Sequence, residues 1–263
     1  MDTAHIESYK KIAQQARIKI IDMIYRAQTS HVGSNLSCVD ILTVLFQHLD
    51  LDKDVFVLSK GWAAASLYYF LWRQGRITED ELNSYCQEGS KWIGLAEPVC
   101  GDIKIAGGSM GLGLPGAVGL ALAKKMKGEE GKVYVLMSDG EMQIGTTWES
   151  ALIAAQHKLD NLIVIVDFNG LQAMGLVNEI LNINSLDEKW KSFGWDVDRI
   201  NGHDYVAIEN RLEVIRYGSP ICIIADTIKG KGVSFMERQN LYHYKQLSQQ
   251  EYEDARKELE WVK

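Results

Sequence analysis

Proline and cysteine are both scarce in this 263-residue chain, at three and four residues. With so little proline and no Gly/Ser/Pro-rich tract, no linker, low-complexity segment or domain boundary is visible. Residues 1–263 therefore read as a single domain. The cysteines, Cys38, Cys86, Cys100 and Cys222, are scattered, without a C-x-x-C pair or clustered histidines. That pattern excludes a disulfide framework and a zinc site, and it fits a reducing cytoplasm. No apolar run reaches the length of a membrane span. Asp2, His5, Glu7 and Lys10 precede any apolar stretch, which is not the pattern of a secretory leader. The chain also lacks an internal repeat and an excess of basic residues. Its formal net charge of −7 excludes broad nucleic-acid binding as a function class. Phosphate ligands stay open, because backbone amides, helix N-termini and metals hold them locally.

What is present is a strong alternation of elements. Residues 5–28 carry Ile12, Ala16, Ile20 and Ile24 near helical spacing. A turn is expected over Thr29–Asn35, then Ser37 as the N-cap of a helix from Val39 to Phe46. Val55–Leu58 predicts a short strand, Gly61–Trp72 and Thr78–Cys86 helices, and 89–116 a Gly-rich irregular stretch. From Ala117 the order becomes helix to Met126, strand Lys132–Met137, helix Thr147–Lys158 and strand Leu162–Val166. Further strands are expected over Asp196–Ile200 and Ile221–Ala225, with a helix Tyr205–Arg216 between them and a polar helix Ser248–Glu260 at the end. Near-continuous apolar strands separated by helices predict an α/β fold, a parallel sheet with helices on both faces.

In such a sheet, ligands collect beyond the carboxyl ends of the strands. Two of these ends read Ser138-Asp139-Gly140-Glu141 and Asp167-Phe168-Asn169-Gly170-Leu171-Gln172. Asp139 and Asn169 are one helix and one strand apart, so a right-handed crossover brings both to the same sheet edge. A carboxylate and an amide oxygen suit a hard cation, Mg²⁺ or Ca²⁺, whose remaining ligands come from phosphate and water. Gly140 allows backbone to approach a phosphate. A lone Asp-Gly is more often a simple turn; its pairing with Asn169 at this spacing points to a metal–diphosphate site. A second motif, Gly111-Leu112-Gly113-Leu114-Pro115-Gly116, matches G-x-G-x-x-G. A dinucleotide fingerprint requires a strand running directly into its first glycine. Here Gly107, Gly108, Ser109 and Met110 intervene after Ile103–Ala106, which argues against that reading.

At these residues the sequence resembles the N-terminal part of transketolase. The likeness covers most of the chain and is carried by several segments in order: Ser30–Ser37, Leu58-Ser59-Lys60-Gly61, Gly108–Gly113, the two strand ends above, Asn201-Gly202-His203-Asp204 and Ile228–Phe235. The resemblance implies the diphosphate-type domain of the thiamine diphosphate-binding fold, with Mg²⁺ or Ca²⁺ held by Asp139, Asn169 and the Leu171 carbonyl. It implies that Gly108, Met110 and Gly140 line the cofactor, and that His31 and His243 are catalytic groups near substrate or thiazolium. It further implies a separate C-terminal subunit carrying the pyrimidine domain and the activating glutamate, in a heterotetramer with two copies of each chain. The other histidines have plainer expectations: His5, His48 and His157 as surface or cap residues, and His203 as a turn contact. Lys229-Gly230-Lys231-Gly232 either meets phosphate or forms a solvated, mobile loop.

Some positions depart from the family pattern. Trp62 and Leu95 stand where the family has histidine, Leu112 where it has histidine or glutamine, and Ile144 where it has glutamate. An acidic residue after the second strand end is also missing, with Ala173-Met174-Gly175 in its place. Trp and Leu accept no hydrogen bond from a sugar hydroxyl. The expectation is a transketolase-like enzyme transferring a two-carbon ketol unit, with a donor or acceptor that is less polar or larger than usual. The alternatives are a carboligase using a 2-oxo acid donor and a non-catalytic partner subunit. The retained Asp139, Gly140 and Asn169 favour an active site.

Overall fold

Residues 3–214 and 217–261 are described in the computed structural model. Five parallel strands form the centre: β1 (Val55–Leu58), β2 (Val133–Ser138), β3 (Leu162–Phe168), β6 (Asp196–Asn201) and β7 (Ile221–Asp226). Their order across the sheet is β1-β2-β3-β7-β6. A two-stranded antiparallel hairpin, β4 (Leu171–Gln172) and β5 (Gly175–Leu176), projects beyond the end of β3.

The period-two geometry of a strand sends alternate residues to opposite faces, so a strand buried on both sides must be apolar throughout. Leu58, Leu136, Ile163, Ile165 and Ile223 enter one core, against Thr3–Ala27, Val39–His48 and Ala64–Arg73. Val57, Val135, Met137, Val164 and Ile224 enter the other, against Gly113–Lys127, Gly145–Gln156 and Leu186–Ser192. The predicted parallel sheet with helices on both faces is what the chain forms. Among the described residues no helix is long and apolar enough to cross a membrane.

Differences from the expected elements have local causes. The helix expected from Ala117 starts at Gly113. Pro115 fits its first turn, where a missing N–H costs nothing. No strand among the described residues lies between β1 and β2 to feed Gly111, so the dinucleotide reading has no structural basis. The expected turn at 29–35 instead contains a helix, Val32–Ser37, entered through His31 in the left-handed region at φ 68°. Ser37 is not an N-cap: it closes that helix, and its hydroxyl donates to Asp167 at 2.6 Å. Leu186–Ser192 and the β4–β5 hairpin carry too few periodic residues to stand out in the sequence. The helix expected to reach Arg216 ends at Glu213, and residues 215–216 lie outside the described residues.

His203 does more than make a turn contact. Its Nε2 accepts from the Ile228 N–H at 2.8 Å, so the ring proton sits on Nδ1 and donates to Asp40 at 2.7 Å. Asp40 is buried, and it also accepts from Arg17 at 2.6 and 3.0 Å and from the Tyr205 hydroxyl at 2.8 Å. This network joins the first helix, the third helix and the segments after β6 and β7. Burial alone would raise the Asp40 carboxyl, but the Arg17 charge and the hydrogen bonds override it and hold it well below the ordinary carboxylate range. A group depressed in the folded state stabilises above its unfolded pKa, and that contribution is lost as pH falls. Asp40→Asn should therefore cost ~3–5 kcal/mol at pH 7, because it leaves Arg17 buried and unpaired. Urea unfolding of both proteins across pH should show the gap narrowing below about pH 4, near the unfolded aspartate pKa.

Candidate active site

Strands β2 and β3 pair in register, with Ser138 opposite Asp167. Their carboxyl ends therefore emerge side by side. The chain beyond β2 enters a 3-10 turn, Asp139–Gln143, which buries Asp139. The Asp139 carboxylate accepts from the Gly140 N–H at 2.8 Å and from the Gly170 N–H at 2.6 Å. No lysine or arginine forms an ion pair with it among the described residues. Burial, reinforced by the charge of Asp167, pushes its pKa up to about 7, despite the two amide donors. A buried carboxylate without a cation is costly. Next to it, the Asn169 side-chain oxygen accepts from the Leu171 N–H at 3.1 Å. The Leu171 carbonyl accepts from the Lys229 ammonium at 3.0 Å, so positive charge is already accommodated at that oxygen. Three hard oxygens, from Asp139, Asn169 and Leu171, fit a Mg²⁺ or Ca²⁺ that shares its coordination with phosphate.

Asp167 is fully buried, and the Lys60 ammonium, the Ser37 hydroxyl and the Thr227 hydroxyl all converge on its carboxylate. Lys60 also donates to the Ser34 carbonyl at 2.9 Å. Burial would lower Lys60 and raise Asp167; their mutual attraction reverses both shifts, leaving Lys60 above and Asp167 below the ordinary values. Glu141 makes a second junction. It accepts from Ser59 Oγ at 2.5 Å, from the Gly111 N–H at 3.1 Å and from the Ser138 N–H at 2.9 Å. These two carboxylates fasten the loops after β1, β2 and β3 to one another.

Between the loops lies a cavity of about 490 Å³. Its rim depends on glycine where backbones nearly touch. A Cβ on Gly61 would stand 2.1 Å from the Gly107 carbonyl oxygen, and Gly61 N–H donates to that oxygen at 3.0 Å. All the positions named from sequence line the cavity: His31 and His243, Gly108 and Met110 from the glycine loop, and Asp139, Gly140, Asn169 and Leu171 from the strand ends. Two lining lysines carry no definite role in the sequence pattern. Lys60 belongs to a matched segment without standing out in it. Lys229 is 1% exposed, so the solvated-loop reading of its segment does not hold for it. Neither burial leaves a local signal, because both come from partners distant in the chain.

Residues 8–263 match the family described as transketolase, thiamine diphosphate binding domain. The chain belongs to that family. It is 40% identical to a protein of Actinobacillus succinogenes described as one subunit of apulose-4-phosphate transketolase, over 96% of this chain and 96% of that one. It is 34% identical to the protein of the same description from Phocaeicola vulgatus, over 97% and 94%. It superimposes on the crystal structure of Campylobacter jejuni transketolase with a TM-score of 0.91 at 32% identity, covering 99% of this chain and 43% of that one.

Against the transketolase pattern, the departures are not equal. Of the four replaced polar positions, only Trp62 lines the cavity. Leu95 packs on Gly108, where an added Cβ would lie 2.6 Å from its Cδ2. Ile144 packs on Gly111, with 2.4 Å to its Cγ2 by the same measure. Leu112 precedes the Gly113–Lys127 helix and is 51% exposed outside the cavity lining. The Trp62 indole stacks on His31, with ring centres 4.7 Å apart and planes 12° from parallel. His31 Nδ1 is 2.7 Å from Ser30 Oγ, and the His31 backbone N–H donates to the His243 carbonyl at 2.9 Å.

Burial and the nearby Lys229 charge push His31 down to about 4 and His243 down to about 3. Both rings are neutral at pH 7. The His243 Nδ1 lies 2.7 Å from the Lys229 ammonium, which only donates, so that nitrogen accepts and the ring proton is on Nε2.

The Asp167–Lys60 pair generates a stability prediction. Lys60→Met should cost ~3–5 kcal/mol, because it leaves Asp167 buried and uncompensated. The double variant Lys60→Met/Asp167→Asn should recover part of that loss. A denaturant-based double-mutant cycle checks it, and strictly additive losses would show that the two side chains do not act as a pair.

Proposed function

We propose that residues 1–263 form one diphosphate-binding domain, the first subunit of a two-chain thiamine diphosphate-dependent ketol transferase. The observation that carries this reading is Asp139, a buried carboxylate without an ion-pair partner among the described residues, set beside the oxygens of Asn169 and Leu171. Thiamine diphosphate supplies the electron sink of the reaction when bound. In the overall reaction a ketose breaks the bond between its second and third carbons, and the third carbon leaves as an aldehyde. The two-carbon unit then bonds to the carbonyl carbon of an acceptor aldehyde. The proton lost from the donor hydroxyl is balanced by one gained on the acceptor oxygen, so no net oxidation occurs.

The roles of this chain are binding, orientation and proton placement. Asp139, Asn169 and the Leu171 carbonyl would hold Mg²⁺ or Ca²⁺, and with it the diphosphate. Gly140 lines the cavity beside these oxygens, where a Cβ would already be 3.2 Å from Met110 Cε. Gly108 and Met110, which line the cavity, would contact the cofactor. His31 and His243, neutral at pH 7, offer ring nitrogens to substrate hydroxyls. The pyrimidine domain and the activating glutamate come from a second subunit, in a heterotetramer of two copies each. The relatives support this division, since the two proteins of which the chain spans 96% and 94% are each described as one subunit of a transketolase. So do the exposed apolar side chains of Met110, which lines the cavity, and of Leu112 and Met174, close in the chain to lining residues, which a second chain would cover. The four cysteines are free, as suits the cytoplasm.

Outer partners of metal ligands are worth about 10–100-fold in affinity, so direct ligands should be worth ~100-fold or more. Asp139→Ala and Asn169→Ala should each weaken Mg²⁺-dependent thiamine diphosphate binding by at least that factor in the assembled complex. Titration calorimetry checks it, and unchanged affinity in both variants would sink the site. A ketose donor should turn over without releasing CO₂; CO₂ released from pyruvate as donor would instead favour the carboligase.

A further inference from the structure

We propose that Trp62 is the specificity-determining residue of this site, selecting a substrate that turns a deoxygenated carbon toward it over one that presents hydroxyls there. The inference rests on the ketol-transfer reading.

Trp62 lines the cavity and is 47% exposed, so a large part of the indole is open to a ligand. One ring face is taken by the stack on His31. The pair is held in place from behind by Asn35, which has no exposed surface. Its amide nitrogen donates to the His31 carbonyl at 2.9 Å and to the Trp62 carbonyl at 3.2 Å. Its amide oxygen accepts from the Ser66 N–H at 3.0 Å, and the single Ser66 hydroxyl proton is shared between that oxygen at 3.0 Å and the Asn35 backbone carbonyl at 2.9 Å. Both protons of the amide nitrogen are thereby used, which fixes the orientation of the group. The backbone before Trp62 is equally fixed: Ala96 N–H donates to the Gly61 carbonyl at 3.0 Å, and Gly107 N–H to the Ala96 carbonyl at 2.9 Å. The backbone under Trp62 is held by these bonds, and the stack on His31 seats its ring.

An indole donates one hydrogen bond and accepts none of ordinary strength. A hydroxyl pressed against its open surface loses water and gains no partner, whereas a carbon–hydrogen face gains contact area. Tyr244 extends the aromatic side, with its ring 5.8 Å from His31 and also lining the cavity. The hydroxyls of Ser30, Ser34 and Ser59 and the Lys229 ammonium line the cavity as well. The lining is thus mixed, and a hydroxyl turned toward the open indole surface finds no acceptor in that ring.

The test uses the assembled two-subunit enzyme with thiamine diphosphate and Mg²⁺, L-erythrulose as ketol donor, and two acceptors with the same three-carbon skeleton, D-glyceraldehyde and propanal. The quantity read is the ratio of kcat/KM for propanal to that for glyceraldehyde. Trp62→His, which restores a hydrogen-bonding ring, should lower this ratio by about tenfold, the worth of one hydrogen bond. Trp62→Phe, which keeps an apolar ring, should leave it near the wild-type value. A ratio unmoved by Trp62→His, or moved as far by Trp62→Phe, overturns the inference while leaving ketol transfer intact. Absence of product with both acceptors in the wild-type enzyme overturns the ketol-transfer reading and this inference with it.

Discussion

The buried Asp167–Lys60 pair is the point on which the site depends. Asp167 ends the central strand β3, and groups from three other segments meet it: Ser37 from the second helix, Lys60 from the loop after β1, and Thr227 from the loop after β7. An ion pair in this position gains little net stability, since desolvation consumes most of the attraction. Its effect is to fix geometry: removing either partner strands a charge, so the loops share one arrangement or lose it together. The same pair also sets the electrostatics. Two carboxylates, Asp139 and Asp167, are buried at neighbouring strand ends, and Lys60 pairs with only one of them. That leaves Asp139 without a paired cation, the feature on which the proposed metal site rests. Lys229, held against the Leu171 carbonyl and drawn toward Asp139 and Asp167, is the chain's own partial answer to that imbalance.

The sheet was legible in the sequence because each central strand is buried on both faces, and double burial writes itself as a continuous apolar run. β2, β3 and β7 were readable to within a residue or two for that reason. The segments that misled were those whose structure is decided from elsewhere. Ser37 has the composition of an N-cap, but a hydroxyl facing a buried carboxylate some 130 positions away forms the stronger bond, since charge-assisted hydrogen bonds outrank neutral ones. Thr29–Asn35 has turn composition, yet it becomes partly helical because Asn35 is tied to His31, Trp62 and Ser66. His203 looked like a turn residue because nothing near it in sequence hints at Asp40.

The site was legible in a similarly uneven way. Asp139 and Asn169 announced themselves because the crossover rule converts sequence spacing into adjacency. Lys60 stood in a matched segment, but a lysine in sequence is presumed solvated, and only the sheet shows that it reaches Asp167. Lys229 fell between two readings for the same reason.

The replaced polar positions show why a sequence pattern weights changes equally when structure does not. Leu95 and Ile144 both meet glycines at distances where a Cβ would collide, so their side chains fill space above Gly108 and Gly111. They are compatible with those glycines as packing partners. Leu112 lies outside the cavity lining. Trp62 alone combines cavity position, exposure and a rigid mount. The second helix joins the two parts of the site, with Ser37 bonded to Asp167 and Asn35 bonded to the Trp62 carbonyl. The side chain at position 62 is therefore seated on a backbone that the Asp167–Lys60 junction already holds, and exchanging that side chain leaves those bonds in place.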